Sequence, residues 1–443
     1  MIWREIRAIL QSELNHIERK AIFLAAIGSM LEYYDFVIFG LMAIYISHQI
    51  LAGTFIHSLA GSVIFGAFFF GYLFRPLGMK QYTDWYNHGS SQKINNRIIM
   101  LLFFATIAIG LAPQKPFVVG IITIILARSL QGFARGAEAQ SEFGYLYRNL
   151  EQKRSIAVFG LIAGAECGVL FGVLINDILN LSYTPAQMND FGWRIPFFIG
   201  GIMCGLIYLL RRLSRIKEYN QTIQPMIPFY KIFTMFRGQV LFAILLSGLR
   251  ASLAWLLLLL IPFILSHKLH CSYRYIGHLM LLSTLSSIVS SFLLLRYVKT
   301  RHSRAILPPV LIINILALWL FGLSISYNHH IATSLVILGL IAGVVAVLVV
   351  RILTGFFPSS TRLSSVTLCY NFGHTIVSGG ILLLIVLLTA LTHSLILPDI
   401  DANTIFLYTT ISTFSILTII VLFLSRKVKY FTDYMLLNKY VKT

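Results

Sequence analysis

The chain has 443 residues, of which 57% are hydrophobic and only 12% are charged, and its mean hydropathy is +0.80. Soluble domains contain about 25% charged residues, so this composition excludes a soluble multidomain protein and a disordered chain. The formal net charge of +19 indicates a nucleic-acid partner only if the basic residues are not explained by their positions along the chain.

Apolar runs long enough to cross a bilayer occur twelve times. A helix needs about 20 apolar residues to cross a hydrocarbon core of about 30 Å. The polar stretch 1–20 precedes the first run, so no cleavable signal peptide is expected. The sequence therefore predicts an all-α membrane protein with 12 transmembrane helices. In chain order these are 21–47, 55–82, 96–112, 117–143, 155–178, 194–213, 239–265, 274–297, 305–326, 331–351, 365–392 and 404–424.

Basic residues are distributed unevenly between the predicted loops. With the N-terminus placed inside the cell, 27 Lys and Arg residues fall on the cytoplasmic side and four on the opposite side. Cytoplasmic loops carry an excess of Lys and Arg, so we expect a multi-pass protein with both termini in the cytoplasm. Topology and contact with anionic lipids then explain the net charge, and no nucleic-acid partner is expected.

The longest polar interruption, residues 211–238, divides the predicted helices six and six. We expect an N-terminal six-helix bundle over 1–210, a central cytoplasmic loop over 211–238, and a C-terminal six-helix bundle with a cytoplasmic tail over 239–443. The sequence has no phosphate-binding glycine motif and no zinc-hydrolase motif. Its four cysteines have no disulfide or zinc spacing. We therefore expect no enzyme, no cofactor and no metal.

Nine of the ionisable residues in the predicted membrane helices are candidates for a functional role, because an ionisable group at the bilayer centre costs about 2.5 to 3.5 kcal/mol unless it faces a cavity or a partner. On the fourth helix, five polar residues share one face. One interpretation is that ion pairs only lock the helices together. The other is that the face lines a watery path, where arginines hold an anionic or zwitterionic solute and a carboxylate exchanges a proton. The nine are Glu32, Asp35, Arg75, Arg128, Arg135, Glu138, Glu142, Glu166 and Arg250.

The second interpretation assigns roles to particular side chains. Asp35 is the preferred proton-coupling residue, followed by Glu32 and Glu138, because an acid that changes its arginine contact between conformations can change its protonation. Glu142 is nearer the cytoplasmic end, and we expect it to pair with Arg135 or Arg148. The predicted substrate-binding residues are Tyr34, Arg75, Arg128, Gln131, Arg250, Asn371 and His374.

Four glycines on the fifth predicted helix follow one another at intervals of four residues. Such a spacing removes side chains along one ridge and lets another helix backbone approach closely. We therefore predict a packing surface there, with Glu166 pointing to a different neighbour. The glycines are Gly160, Gly164, Gly168 and Gly172.

Five stretches match known motifs in the same order along the chain. GSMLEYYDFVIFG (28–40) is similar to GNxLEWYDFxxYG, and FRPLG (74–78), RSLQGFARGAE (128–138), GWRIPFFIG (192–200) and FPSSTRLSSVTLCYNFGHTIVSGG (357–380) also agree. Together they resemble the metabolite:proton symporters, a bacterial branch of the major facilitators that includes proline/betaine, 2-oxoglutarate, shikimate and citrate carriers. The resemblance implies the major facilitator fold and proton-coupled import of a small organic solute across a bacterial inner membrane.

One departure from that pattern keeps a rival function open. The family's cytoplasmic GDRxGRK gate is replaced by YTDWYNHGSSQKI, in which Asn87, or Asp84 if a gap is allowed, takes the position of the gate aspartate. The rival is a transporter-like sensor or scaffold that no longer completes the transport cycle. For the transporter we expect a monomer whose partners are a small-molecule substrate, protons and the lipid bilayer.

Overall fold

The computed structural model describes residues 15–50, 60–88, 91–149, 154–213, 227–298, 302–358, 361–396 and 400–441. Within these ranges every regular element is a helix. The first eight helices are α1 His16–Ile50, α2 Ala60–Leu73, α3 Arg75–His88, α4 Ser91–Gly110, α5 Phe117–Asn149, α6 Arg154–Ser182, the short α7 Pro185–Asp190 and α8 Ile195–Leu213.

The remaining helices begin with a short element after the central loop. They are α9 Phe229–Met235, α10 Arg237–Trp255, α11 Ile261–Lys268, α12 Tyr273–Tyr297, α13 Ser303–Ser326, α14 Ile331–Phe356, α15 Arg362–Phe372, α16 Gly380–Leu391 and α17 Ala402–Val441. Two π-helical turns, Leu256–Leu260 and Gly373–Gly379, join α10 to α11 and α15 to α16.

Ten helical stretches among the described residues are long and apolar enough to cross a membrane, and Ile94–Gly110 is a shorter apolar stretch. The remaining predicted span, 55–82, is divided between α2 and α3. The break at Phe74 has a local cause, because Pro76 lacks a backbone N–H and is tolerated only in the first turn of a helix. Residues 55–59 of this span lie outside the described residues.

A proline also explains one of the π-helical turns. The predicted span 239–265 is not one regular α-helix, because Leu256–Leu260 forms a π-helical turn just before Pro262. Proline removes the hydrogen bond to the carbonyl four residues earlier, and a wider turn absorbs the mismatch. The residues of this turn are all buried.

The described helices form two compact units. The first contains Met1–Ala60 and Leu73–Met226, and the second contains Gly61–Tyr72 and Ile227–Thr443. The division after residue 226 falls in the predicted central loop. The sequence does not predict that 61–72, which is most of α2, belongs with the second unit.

Glycines allow a close helix contact in the first unit, between α1 and α6. A Cβ atom added at Gly164 would meet the carbonyl oxygen of Ala26, and one added at Gly168 would meet that of Met30. The predicted glycine packing surface on the fifth membrane helix is therefore confirmed. It brings the backbone of α1 against α6 and so fixes the position of the acidic residues that α1 carries.

Candidate functional site

Asp35 lies on α1 with 5% of its surface exposed, and polar side chains surround it. Gln131 Nε2 donates to Asp35 Oδ1 at 2.7 Å, and Thr106 Oγ1 donates to the same oxygen at 3.4 Å. Arg128 Nη1 lies 3.5 Å from Asp35 Oδ2, and Arg135 Nη2 lies 4.0 Å from it. The carboxylate is thus shared between two guanidinium groups and held by an amide.

Arg128 is fixed by two further contacts. Its Nη1 donates to Gln131 Oε1 at 2.8 Å, and its guanidinium carbon lies 4.1 Å from the centre of the Phe39 ring. A cation over an aromatic ring gains about 0.5 to 2 kcal/mol, with the larger value in a desolvated setting. The guanidinium is therefore held in place by contacts other than the ion pair with Asp35.

Glu32 lies one turn before Asp35 on α1 and accepts a hydrogen bond from Arg75 Nη2 at 2.6 Å. Close approach of α3 and α5 positions Arg75. A Cβ at Gly136 would meet the carbonyl oxygen of Arg75, and one at Gly78 would meet that of Phe133. The glycines of the FRPLG and ARGAE motifs therefore hold the start of α3, and with it the Arg75 side chain, against α5.

Glu138 is 2% exposed and bridges two arginines. Arg211 Nη2 donates to Glu138 Oε1 at 2.9 Å, and Arg135 Nη1 lies 3.6 Å from Oε2. Arg135 also donates to the backbone carbonyl of Leu31 on α1 at 2.9 Å. This second ion-pair group connects α1, α5 and α8.

Glu142 does not pair with Arg135, the first of its two predicted arginine partners. Arg135 directs its guanidinium to Asp35, Glu138 and the carbonyl of Leu31, and the expected pairing of Glu142 with Arg135 is wrong. The side chain of Arg148, the alternative partner, lies outside the described residues. Glu142 Oε2 instead accepts from Ser29 Oγ at 3.4 Å.

The predicted polar face of the fourth membrane helix is confirmed. Its five residues are buried at the contact of α5 with its neighbours, and most of them interact with α1. Successive turns of α5 thus bring arginine, glutamine and glutamate side chains to the acids and the backbone of α1. The residues are Arg128, Gln131, Arg135, Glu138 and Glu142.

Tyr34 lies beside Asp35 in the chain, but its hydroxyl points elsewhere. It donates to the backbone carbonyl of Pro196 at 2.8 Å, and its ring packs against Phe171 at a centroid distance of 5.4 Å. The Tyr34 hydroxyl therefore fastens α1 to the start of α8, and its predicted contact with substrate stays a prediction.

The other predicted binding residues lie in the second unit. Arg250 is partly exposed on α10, and Asn371 is buried on α15, where its Nδ2 donates to the carbonyl of Thr367 at 3.0 Å. His374 Nδ1 lies 2.7 Å from the carbonyl oxygen of Tyr370, which requires the tautomer protonated at Nδ1. The His374 ring is 6.0 Å from the ring of Tyr72 on α2.

Two residues of the first-unit site are absent from the predicted set. Thr106 on α4 donates to Asp35, and Arg211 pairs with Glu138. Arg211 lies where the predicted helix 194–213 overlaps the predicted central loop 211–238. In the structure α8 continues to Leu213, and Arg211 lies at helical spacing from the buried Cys204 and Ile207. That spacing is the sequence signal for its burial.

The site offers arginine donors and carboxylates. Among the residues described, no three His, Cys, Asp or Glu side chains cluster in a way that could hold a metal ion. In a medium of low dielectric constant, guanidinium groups recognise carboxylates strongly. Another anion can displace a buried carboxylate from its arginines, and the displaced carboxylate can then bind a proton.

A model of the Major Facilitator Superfamily matches residues 22–379, and the chain belongs to that superfamily. The predicted fold, an all-α membrane protein with two six-helix bundles and 12 transmembrane helices, is confirmed.

Two relatives with curated names show which members of the superfamily this chain resembles in sequence. The proline/betaine transporter of Escherichia coli (strain K12) is 27% identical over 383 residues, which is 80% of this chain and 74% of that protein. A protein of Staphylococcus aureus (strain COL), named provisionally as a proline/betaine transporter, is 29% identical over 215 residues. That match covers 47% of this chain and 46% of the relative, so the chain spans about half the length of the staphylococcal relatives it matches.

Solved structures support the fold. The xylose transporter XylE from E. coli, in a partially occluded inward open conformation, has a TM-score of 0.67 at 13% identity. The match covers 90% of this chain and 95% of that one. The human organic anion transporter MFSD10 has a TM-score of 0.58 at 14% identity, with 93% of this chain and all of that chain (100%) covered.

Proposed function

We propose that this protein imports a small carboxylate or zwitterionic osmolyte together with protons by alternating access. The observation that carries the proposal is the position of Asp35, a buried carboxylate shared by Arg128 and Arg135 and held by Gln131. A solute carboxylate that enters beside Arg128 competes with Asp35 for the guanidinium. We propose that Asp35, once released from that contact, binds a proton, so that solute movement and proton movement are coupled.

The remaining predicted residues complete this proposal. Glu32 and Glu138 serve as further proton-coupling acids, and both already accept hydrogen bonds from arginines, Glu32 from Arg75 and Glu138 from Arg211. In the second unit, Arg250 supplies a charge while Asn371 and His374 supply hydrogen bonds to the solute. Tyr34 donates to the solute once its hydroxyl leaves the carbonyl of Pro196.

The names of the relatives support the osmolyte class. The E. coli relative is named as a proline/betaine transporter, and proline and betaine each combine a carboxylate with a positive charge. We further propose a monomer in a bacterial inner membrane with both termini in the cytoplasm, in contact with lipid, the solute and protons and with no nucleic-acid partner.

The experiment has two stages. A thermal-shift screen of the purified protein against proline, glycine betaine, 2-oxoglutarate, citrate and shikimate identifies the ligand, because a ligand that binds the native state raises its stability. Uptake of that labelled compound into proteoliposomes with an imposed pH gradient then tests transport. Accumulation supports the proposal, and the absence of accumulation of every compound supports the rival sensor or scaffold.

A further inference from the structure

Glu142 differs from the other buried acids on α1 and α5 in its surroundings. Glu32, Asp35 and Glu138 each have an arginine nitrogen within 4.0 Å. Glu142 is 4% exposed, its Oε2 accepts only a long hydrogen bond of 3.4 Å from Ser29, and its Oε1 has no hydrogen-bond partner. It is therefore a buried carboxyl group without a neutralising contact among the residues described.

The backbone of α1 shapes this position. A Cβ atom added at Gly28 would meet the carboxyl group of Glu142, so a side chain at this position would displace that group. Ser29, the next residue, donates the hydrogen bond that Glu142 accepts among the described residues. The carboxyl group thus lies directly against α1, two helical turns before Asp35, which is about 10 Å along the helix axis.

The charges around Glu142 do not stabilise an anion there. The charged groups that face it are the acids Glu32 and Glu138 and the bases Arg135 and Arg211. Both bases lie beyond ion-pair distance of Glu142 and contact Glu138 instead. The charges of the two acids and the two bases largely cancel at Glu142. The free-energy cost of removing a carboxylate from water is therefore not compensated there. Binding a proton removes that cost.

We infer that Glu142 is a second proton-binding site of the protein, separate from Asp35, and that it carries its proton in the state described. The role of Glu142 in coupling rests on the proposed function, whereas its protonation does not. It concerns a residue outside the proton-coupling set of Asp35, Glu32 and Glu138.

Charge balance gives this proton a role in solute binding. Among the described residues, four arginines form ion pairs with three acids around α1 and α5. With Glu142 neutral, the set carries one excess positive charge, which favours entry of one solute carboxylate. With Glu142 ionised, the excess disappears and so does that preference. The residues of these ion pairs are Arg75, Arg128, Arg135 and Arg211 with Glu32, Asp35 and Glu138.

Infrared spectroscopy of the protein in lipid tests the protonation without any substrate. A protonated carboxyl group gives a C=O stretching band that shifts in D₂O and is absent from an ionised group. We expect this band in the wild type at neutral pH, its loss in Glu142→Gln, and its retention in the matched variant Glu138→Gln. Absence of the band from the wild type, or its persistence in Glu142→Gln, overturns the inference.

Transport supplies the second measurement. With labelled proline as the probe in proteoliposomes, Glu142→Gln should keep exchange at equal concentrations on both sides within about twofold of the wild type, while accumulation driven by a pH gradient should be lost. Wild-type accumulation by Glu142→Gln contradicts the coupling role. If the wild type accumulates no compound, the proposed function fails, and the infrared result still decides whether Glu142 binds a proton.

Discussion

Replacing Asp35 by Asn removes the negative charge at the centre of the first-unit site and changes little of its shape. The asparagine carbonyl can still accept from Gln131 Nε2, as the carboxylate does at 2.7 Å. What is lost is the attraction to Arg128 at 3.5 Å and Arg135 at 4.0 Å. The variant also cannot bind or release a proton at this position.

The cost in stability can be worked from these contacts. Removing one member of a buried ion pair costs about 3 to 5 kcal/mol when the remaining charge has no other partner. Arg128 keeps its hydrogen bond to Gln131 and its contact with Phe39, and Arg135 keeps Glu138. We therefore expect Asp35→Asn to lower the free energy of unfolding by about 1 to 3 kcal/mol, the range for a buried group that loses one of several partners. The protein should remain folded in the membrane.

The assay compares two modes of transport in proteoliposomes. Asp35→Asn should lose accumulation driven by a pH gradient, because no proton is exchanged at this position, but it should retain exchange of labelled against unlabelled solute. Asp177→Asn is the matched control, since Asp177 is a buried aspartate of the same unit on α6, beside Asn176 and Asn180. Accumulation by Asp35→Asn equal to that of the wild type would refute the reasoning.

Three further predictions concern packing and pairing. Gly136→Val should lower the free energy of unfolding by about 1 to 3 kcal/mol or more, because the valine side chain would meet the carbonyl oxygen of Arg75. An unchanged melting temperature would contradict this. Arg211→Gln should cost up to about 3 kcal/mol, since Glu138 loses the donor at 2.9 Å, and a melting temperature equal to that of the wild type would show that the pair is dispensable. Ser378→Ala should cost about 1 to 3 kcal/mol, because Trp255 Nε1, which donates to Ser378 Oγ at 2.5 Å, is left buried without its acceptor; thermal unfolding of the purified variant measures this, and a cost below about 0.5 kcal/mol would count against it.

The cluster around Asp35 could be predicted because charge is rare in membrane helices. An acid or an arginine in an apolar run must find a partner, and spacing along one helix shows which residues share a face. Asp35, Arg128 and Gln131 are brought together as that reasoning requires. The packing of the glycine ridge on α6 follows from the same kind of periodicity.

Other features depend on tertiary contacts that spacing does not give. Arg211 lies in the overlap of the predicted helix 194–213 and the predicted central loop, and its membership in the site depends on its contact with Glu138. Of the two predicted partners of Glu142, Arg135 is wrong because Arg135 has three competing acceptors, and the distances among them decide the outcome. The membership of 61–72 in the second unit depends on long-range packing. The altered gate position Asn87 is in α3, but its side chain lies outside the described residues.

The most direct measurement is the dependence of solute accumulation on the size of the pH gradient in proteoliposomes that contain the wild-type protein. One coupled proton supplies about 1.4 kcal/mol per pH unit, so the limiting ratio of internal to external solute should rise about tenfold for each unit of gradient. A ratio that stays at one across all gradients, for a compound that the protein binds, would contradict proton-coupled import.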